Sequence, residues 1–226
     1  MEIAKDIHSI KLFRNRAFLI TGKELTLIDA GFPLQSRKII TFIRNIGRKP
    51  EALSLIILTH HHIDHRGSVR AIKKLTGAKV AAHVNDIPFI EGQKHAHDGH
   101  RLWWVRLLLF ILELIFKHEK VHVDIKLKDR ENIGDLTVIH SPGHTEGSIS
   151  LFLMNKKILF CGDTVPYTLG KLKSLIPYTK NHNQERESIR KLSKMDCDIL
   201  LPNDCRMVLK DGKSLLQEFC KDTINT

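Results

Sequence analysis

Residues 58–68 read LTHHHIDHRGS. Within the six positions 60–65 stand four histidines, His60, His61, His62 and His65, and one carboxylate, Asp64. The stretch directly follows LSLIILT (53–59), an apolar run of strand length such as a sheet buries on both faces. A strand that ends in such a loop delivers metal-preferring side chains to the edge of a sheet. Neutral imidazole and carboxylate are preferred ligands of zinc and similar divalent ions. In an extended segment, residues two apart point the same way, so His60 and His62 can reach one ion together. Asp64 and His65 follow a turn and are better placed for a second ion. Four such groups crowd one tetrahedral centre and suit two metals about 3.5–4 Å apart, completed from elsewhere in the chain. His61, between two ligands, is expected to point away.

Working outward, the front half alternates strands and helices. AFLITGKELTLIDAG (17–31) reads as two strands around a turn at Thr21-Gly22, SRKIITFIRNIG (36–47) as a helix ending in Gly, GSVRAIKKLTG (67–77) as a short helix, and AKVAAH (78–83) as a strand. The back half predicts strands over 120–127 and 136–142, a hairpin over 148–163, a helix over 183–195, a strand over 197–202 and a closing helix over 212–223. This pattern is that of a layered α/β domain.

Two further segments bring polar groups to strand ends, where ligands of layered α/β proteins collect. SPGHTEGS (141–148) places His144 on a Pro-Gly turn, and LFCGDT (159–164) places Asp163 after a Gly. With these, the chain resembles the metallo-β-lactamase superfamily. His60-x-His62-x-Asp64-His65 stands where the family has HxHxDH. Pro142–Ser148 matches its P-G-H-T-x-G-S segment, Gly162-Asp163 its G-D, and Asp29-Ala30-Gly31 its strand-ending D-x-G, all in the family's order.

The resemblance implies a four-layer αβ/βα sandwich with the site along one edge. His60, His62 and His144 would bind one ion, Asp64 and His65 the other, and Asp163 would bridge them. A hydroxide held between the metals would be the nucleophile, with Asp64 orienting it and later taking a proton. Zn2+ is the first expectation and Mn or Fe the alternatives. Asp29 is expected to fix a ligand imidazole by hydrogen bond rather than to bind metal. The family usually ends its set with a histidine after a late strand; here LLPNDC (200–205) puts Asp204 in that place, with Cys205 adjacent. Asp204 is predicted as a ligand of the second ion.

At 226 residues the chain reads as one domain, 1–226, with a variable apolar insert over 84–118. RLWWVRLLLFILELIFKH within it is interrupted by Arg106 and Glu113 and falls short of the about 20 apolar residues of a membrane span. A lid over the site or a homodimer contact is favoured for it over a seat on a membrane surface. His95, His97 and His100 in HAHDGH read as a polar loop. The N-terminus MEIAKDIHSI lacks an export pattern and the four cysteines have no CxxC spacing, which together predict a cytoplasmic protein with reduced thiols.

The net charge of +11 is compatible with anionic partners, but the basic residues are scattered, and nucleic acid is not favoured. The resemblance implies a metal-dependent hydrolase acting on an ester, thioester or lactone of a small molecule. A phosphodiesterase or nuclease, or a non-catalytic binding protein on the same fold, is the alternative.

Overall fold

A computed structural model describes residues 1–95, 102–115, 120–168, 170–173, 178–203 and 209–224. Its strands form two main sheets. The first has seven strands in sequential order: β1 (Glu2–Ala4), β2 (Ile7–Lys11), β3 (Arg16–Thr21), β4 (Leu25–Ile28), β5 (Leu53–Ile57), β6 (Lys79–His83) and β7 (Ile125–Leu127). Strands β1–β4 form an antiparallel meander, whereas β4, β5, β6 and β7 run parallel. Parallel neighbours need crossovers. These carry α1 (Ser36–Asn45), then α2 (Ile63–Arg66) and α3 (Val69–Thr76), then α4 (Ile87–Ile90) and α5 (Trp103–Ile115).

The second sheet holds β8 (Asn132–Ile133), β9 (Leu136–His140), β10 (Ile149–Leu153) and β11 (Ile158–Gly162). A small hairpin, β12 (Tyr167–Thr168) with β13 (Lys171–Leu172), and then α6 (His182–Leu192) lead to β14 (Ile199–Pro202), which joins β11 in parallel, and to β15 (Leu209–Lys210) at the edge. Helix α7 (Gly212–Ile224) closes the chain.

Strand alternation sorts the side chains into three cores. From the first sheet, Phe18, Ile28 and Ile57 face Val138, Leu151 and Phe160 of the second. Phe18 and Phe160 meet edge to face at 5.3 Å, an aromatic contact that ties the sheets together. On the outer face of the first sheet, Leu19, Leu27 and Ile56 pack under Ile39 and Ile43 of α1 and Val69 and Ile72 of α3. On the outer face of the second, Leu159 and Leu200 pack under Ile189 of α6 and Leu216 and Phe219 of α7. The result is the αβ/βα sandwich that the resemblance implied. The period of two within each strand is what produces it, since each central strand is apolar on both faces.

One expectation needs correction. The strand expected over 120–127 is confined to 125–127. Ahead of it, Val121 and Val123 turn into the helix-side core, and the Val123 N–H donates to the Glu91 carboxylate at 3.1 Å instead of to a ladder. The apolar segment 84–118 divides. Helix α4 is core, with Ile87, Phe89 and Ile90 buried, while α5 stands largely in solvent. Among the described residues, no helix is long and apolar enough to cross a membrane.

Candidate metal centre

The site forms at the carboxyl ends of the parallel strands, where the two sheets meet. Asp29 follows β4, the histidine loop follows β5, Asp86 follows β6, Asp163 follows β11 and Asn203 follows β14. His144 arrives on the turn after β9.

The rings of His60, His62 and His144 stand mutually edge to face, with centroids 4.6–4.7 Å apart. His144 Nε2 and His62 Nδ1 face each other at 2.9 Å. A second group joins His60, His65 and Asp163, and within each group one potential ligand atom per residue lies within 4.8 Å of the others. Asp163 reaches both clusters: one carboxylate oxygen lies 3.3 Å from His65 Nε2 and the other 3.6 Å from His144 Nε2. Asp64 also approaches His65 Nε2, at 3.6 Å. Six of the seven residues nominated from the sequence are thus brought together; Asp204 lies outside the described residues, as do Cys205, His97 and His100. His95 joins neither group.

A layer of hydrogen bonds fixes the rings from behind. Asp29 is fully buried and adopts a left-handed backbone conformation (φ 58°), which Asp tolerates better than most residues. It accepts from the Thr59 N–H at 2.9 Å, the Thr59 hydroxyl at 2.7 Å, His65 Nδ1–H at 2.9 Å and the Asn203 amide at 2.5 Å. Because the Thr59 proton is committed to Asp29, its oxygen accepts from His60 Nδ1, 3.1 Å away. That leaves the lone pair of His60 on Nε2, a buried atom with no hydrogen-bond partner. Burial first, and then the other histidines, hold the His60 imidazole well below its usual pKa, so it is neutral. A buried basic nitrogen with no donor, aimed into a cluster of imidazoles and carboxylates, fits a divalent metal.

His65 behaves oppositely. Burial would push its pKa down, but Asp163, Asp64 and Asp29 outweigh that and hold it well above the usual value. The Asp163 carboxyl is pushed up by burial but pulled below its ordinary value by His65 and His144. Burial and then the Asp163 charge raise Asp64, although His65 opposes them. In the metal-free site the His65 proton thus partly offsets the carboxylates around it.

The sequence reading missed Thr59, Asp86 and Asn203. Asp86 is the most connected of them. It accepts from the backbone N–H groups of His61 (2.9 Å) and Gly147 (2.8 Å) and from the Thr145 hydroxyl (2.9 Å), and its carboxylate lies 3.1 Å from His61 Nδ1. It clasps the histidine loop to the loop that carries His144. Gly147 is needed there, because a Cβ would stand 2.6 Å from the Asp86 side chain and its backbone nitrogen. His61 does turn out of both ligand groups, as expected, but it is buried, stacked on Phe89 at 4.3 Å and paired with Asp86. A signal for Asp86 is present in the sequence: an acid shortly after a buried strand, as with Asp29 and Asp163. It is obscured because Asp86 falls inside the segment that reads as a variable insert.

A two-sheet sandwich with imidazoles and carboxylates gathered at one edge is the architecture of a metal-site α/β protein. The metallo-beta-lactamase superfamily profile matches residues 11–203, and the chain belongs to that superfamily. It is similar to a metallo-beta-lactamase family protein from Thermus thermophilus, with a TM-score of 0.76 at 18% identity over 99% of this chain and 81% of the other. It is 33% identical over 137 residues to a hydroxyacylglutathione hydrolase from Pseudomonas aeruginosa, across 59% of this chain and 42% of that protein. It is 28% identical over 187 residues to the human acyl-coenzyme A thioesterase MBLAC2, across 74% of this chain and 63% of that protein. The matches thus span 42% and 63% of the length of these two curated relatives.

Proposed function

We propose that the chain is a metal-dependent hydrolase of ester-type bonds, with a thioester of a small molecule as the leading substrate class. The observation that carries the metal requirement is His60 Nε2, buried and without a hydrogen-bond partner, shared by two ligand clusters that Asp163 connects. His60, His62 and His144 would hold one divalent ion, zinc first and Mn or Fe as alternatives. His65, Asp64 and Asp163 would hold a second, with Asp204 as the remaining candidate. A bound ion lowers the pKa of water toward about 7, which supplies a nucleophile at neutral pH.

The chain's own groups then orient and move the proton. Asp64 is held 3.6 Å from His65 Nε2, and a third of its side chain reaches solvent. Beside the ions, that partly open carboxylate is placed to take up a proton as the bond breaks. Asp29 and Thr59 keep His65 and His60 in the tautomers that leave Nε2 facing the site. The thioester class is supported by the acyl-coenzyme A thioesterase and the hydroxyacylglutathione hydrolase among the relatives. The net charge of +11 keeps a phosphodiester as the second reading.

The test measures metal per chain by mass spectrometry on wild type, His60→Ala and Asp163→Ala, then hydrolysis of thioester, ester, lactone and phosphodiester panels by wild type and Asp64→Asn. Up to two equivalents in wild type, reduced in both variants, with thioester turnover lost in Asp64→Asn, is expected. A chain that binds no metal after reconstitution and turns over none of the panels refutes the proposal.

A further inference from the structure

Helix α5 presents its apolar side to solvent. Among its 13 residues, Val105 is buried, while Trp103 is 75% exposed, Leu114 60% and Ile115 61%. Leu107, Leu108 and Ile111 are exposed as well, and Trp104 is 42% exposed where its ring leans edge-on toward Tyr178. At 3.6 residues per turn these positions fall on one uncharged arc about 140° wide that runs the length of the helix. Arg106, also exposed, stands outside the arc.

We infer that this face is a seat for an anionic lipid surface, with α5 lying in the plane of the interface. Two features favour a lipid surface over a second copy of the chain. Two adjacent tryptophans stand at one end, and an indole prefers the boundary between headgroups and acyl chains. The net charge of +11 attracts an anionic surface and repels another copy of the same chain. At about 20 Å long, α5 is too short to span a bilayer.

The helix also adjoins the metal centre. Tyr178, which Trp104 approaches at 6.5 Å, lies two residues before Lys180, and the Lys180 N–H donates to the His144 carbonyl at 3.3 Å. A seated α5 would bring the His144 loop near the headgroup layer, where amphiphilic substrates concentrate. The inference goes beyond the proposed hydrolysis and does not depend on it.

The test is co-sedimentation with vesicles of phosphatidylcholine mixed with phosphatidylserine, and with phosphatidylcholine alone, using the metal-loaded full chain. Wild type is compared with Leu107→Glu/Leu114→Glu, whose exposed positions leave the cores intact, as circular dichroism checks. Wild type should sediment with the mixed vesicles and shift its tryptophan emission to the blue. The double variant, or raised salt, should weaken binding at least about tenfold. Wild type that stays in the supernatant with both vesicle types overturns the inference. So does a lipid-free dimer that the double variant breaks, which would assign the face to a second copy. Metal content unchanged in the double variant separates either result from a failure of the hydrolase reading.

Discussion

Replacing Asp86 tests whether the site is assembled by a clasp outside the ligand set. The carboxylate is fully buried and accepts at both oxygens, from His61 N–H, Thr145 Oγ–H and Gly147 N–H. In Asp86→Asn one oxygen becomes an amide that opposes a backbone donor, so one buried N–H loses its partner, at a cost of about 2 kcal/mol. In Asp86→Ala both backbone donors are orphaned. Thr145 is relieved because its hydroxyl also lies 2.8 Å from Ser148 Oγ, so the loss is about 4 kcal/mol. For a chain of 226 residues, each kcal/mol moves Tm by about 2–4 °C. The Asn variant should therefore melt about 4–8 °C below wild type and the Ala variant about twice as far below.

Burial pushes the Asp86 carboxyl up, but His61, Thr145 and Gly147 bring it below its ordinary value. Its contribution is thus fully present above the unfolded value of about 3.9 and is lost as pH falls through the lower folded value. The wild-type advantage should be flat near neutrality and shrink only in strong acid. Calorimetry across pH, with metal affinity measured in parallel, provides the assay. Variants that melt with wild type and bind metal as tightly would refute the clasp.

Asp29→Asn keeps the left-handed backbone that Asn also tolerates but weakens the anchor of His65, so metal affinity should fall by about 10–100-fold while the fold persists; competition with a chromogenic chelator measures it, and unchanged affinity contradicts the anchoring role. The raised pKa of metal-free His65 means that the stability it contributes is fully present below about 6.5 and is lost as pH rises through the folded value. Metal must displace that proton, so loading near neutral pH should release it and affinity should rise with pH; titration calorimetry in two buffers counts the proton, and none released would show His65 already neutral. Gly147→Ala places a methyl 2.6 Å from the Asp86 side chain and backbone, which should destabilise the chain by about 1–3 kcal/mol in urea unfolding; a neutral result would mean that the two loops separate freely.

The candidate ligands were legible because each would bind through its own side-chain chemistry at short spacing. His60, His62, Asp64 and His65 fall within six positions, and His144 and Asp163 each follow a strand with a Gly turn, so local pattern sufficed. The layers were legible for the same reason: strands β4, β5, β10 and β11 carry apolar residues on both faces, and both faces are covered. The N-terminal strands β1 and β2 carried no comparable signal. Glu2–Ala4 is three residues at a sheet edge, and Ile7–Lys11 interleaves His8 and Ser9 with its isoleucines.

The supporting residues resist such reading because their partners are distant in the chain. Asp86 meets Gly147 across 61 positions, and Asn203 meets Asp29 across 174. Nothing in NDIP (85–88) or LLPND (200–204) announces which donor the side chain will meet. The same logic bears on the departure at the end of the ligand set. The segment that supplies Asp204 also delivers Asn203, which donates to the carboxylate that orients His65. The role of LLPND in the site therefore does not rest on Asp204 alone. Its asparagine completes the acceptor shell of Asp29, and Asn203→Ala should loosen His65 whether or not the next residue binds metal.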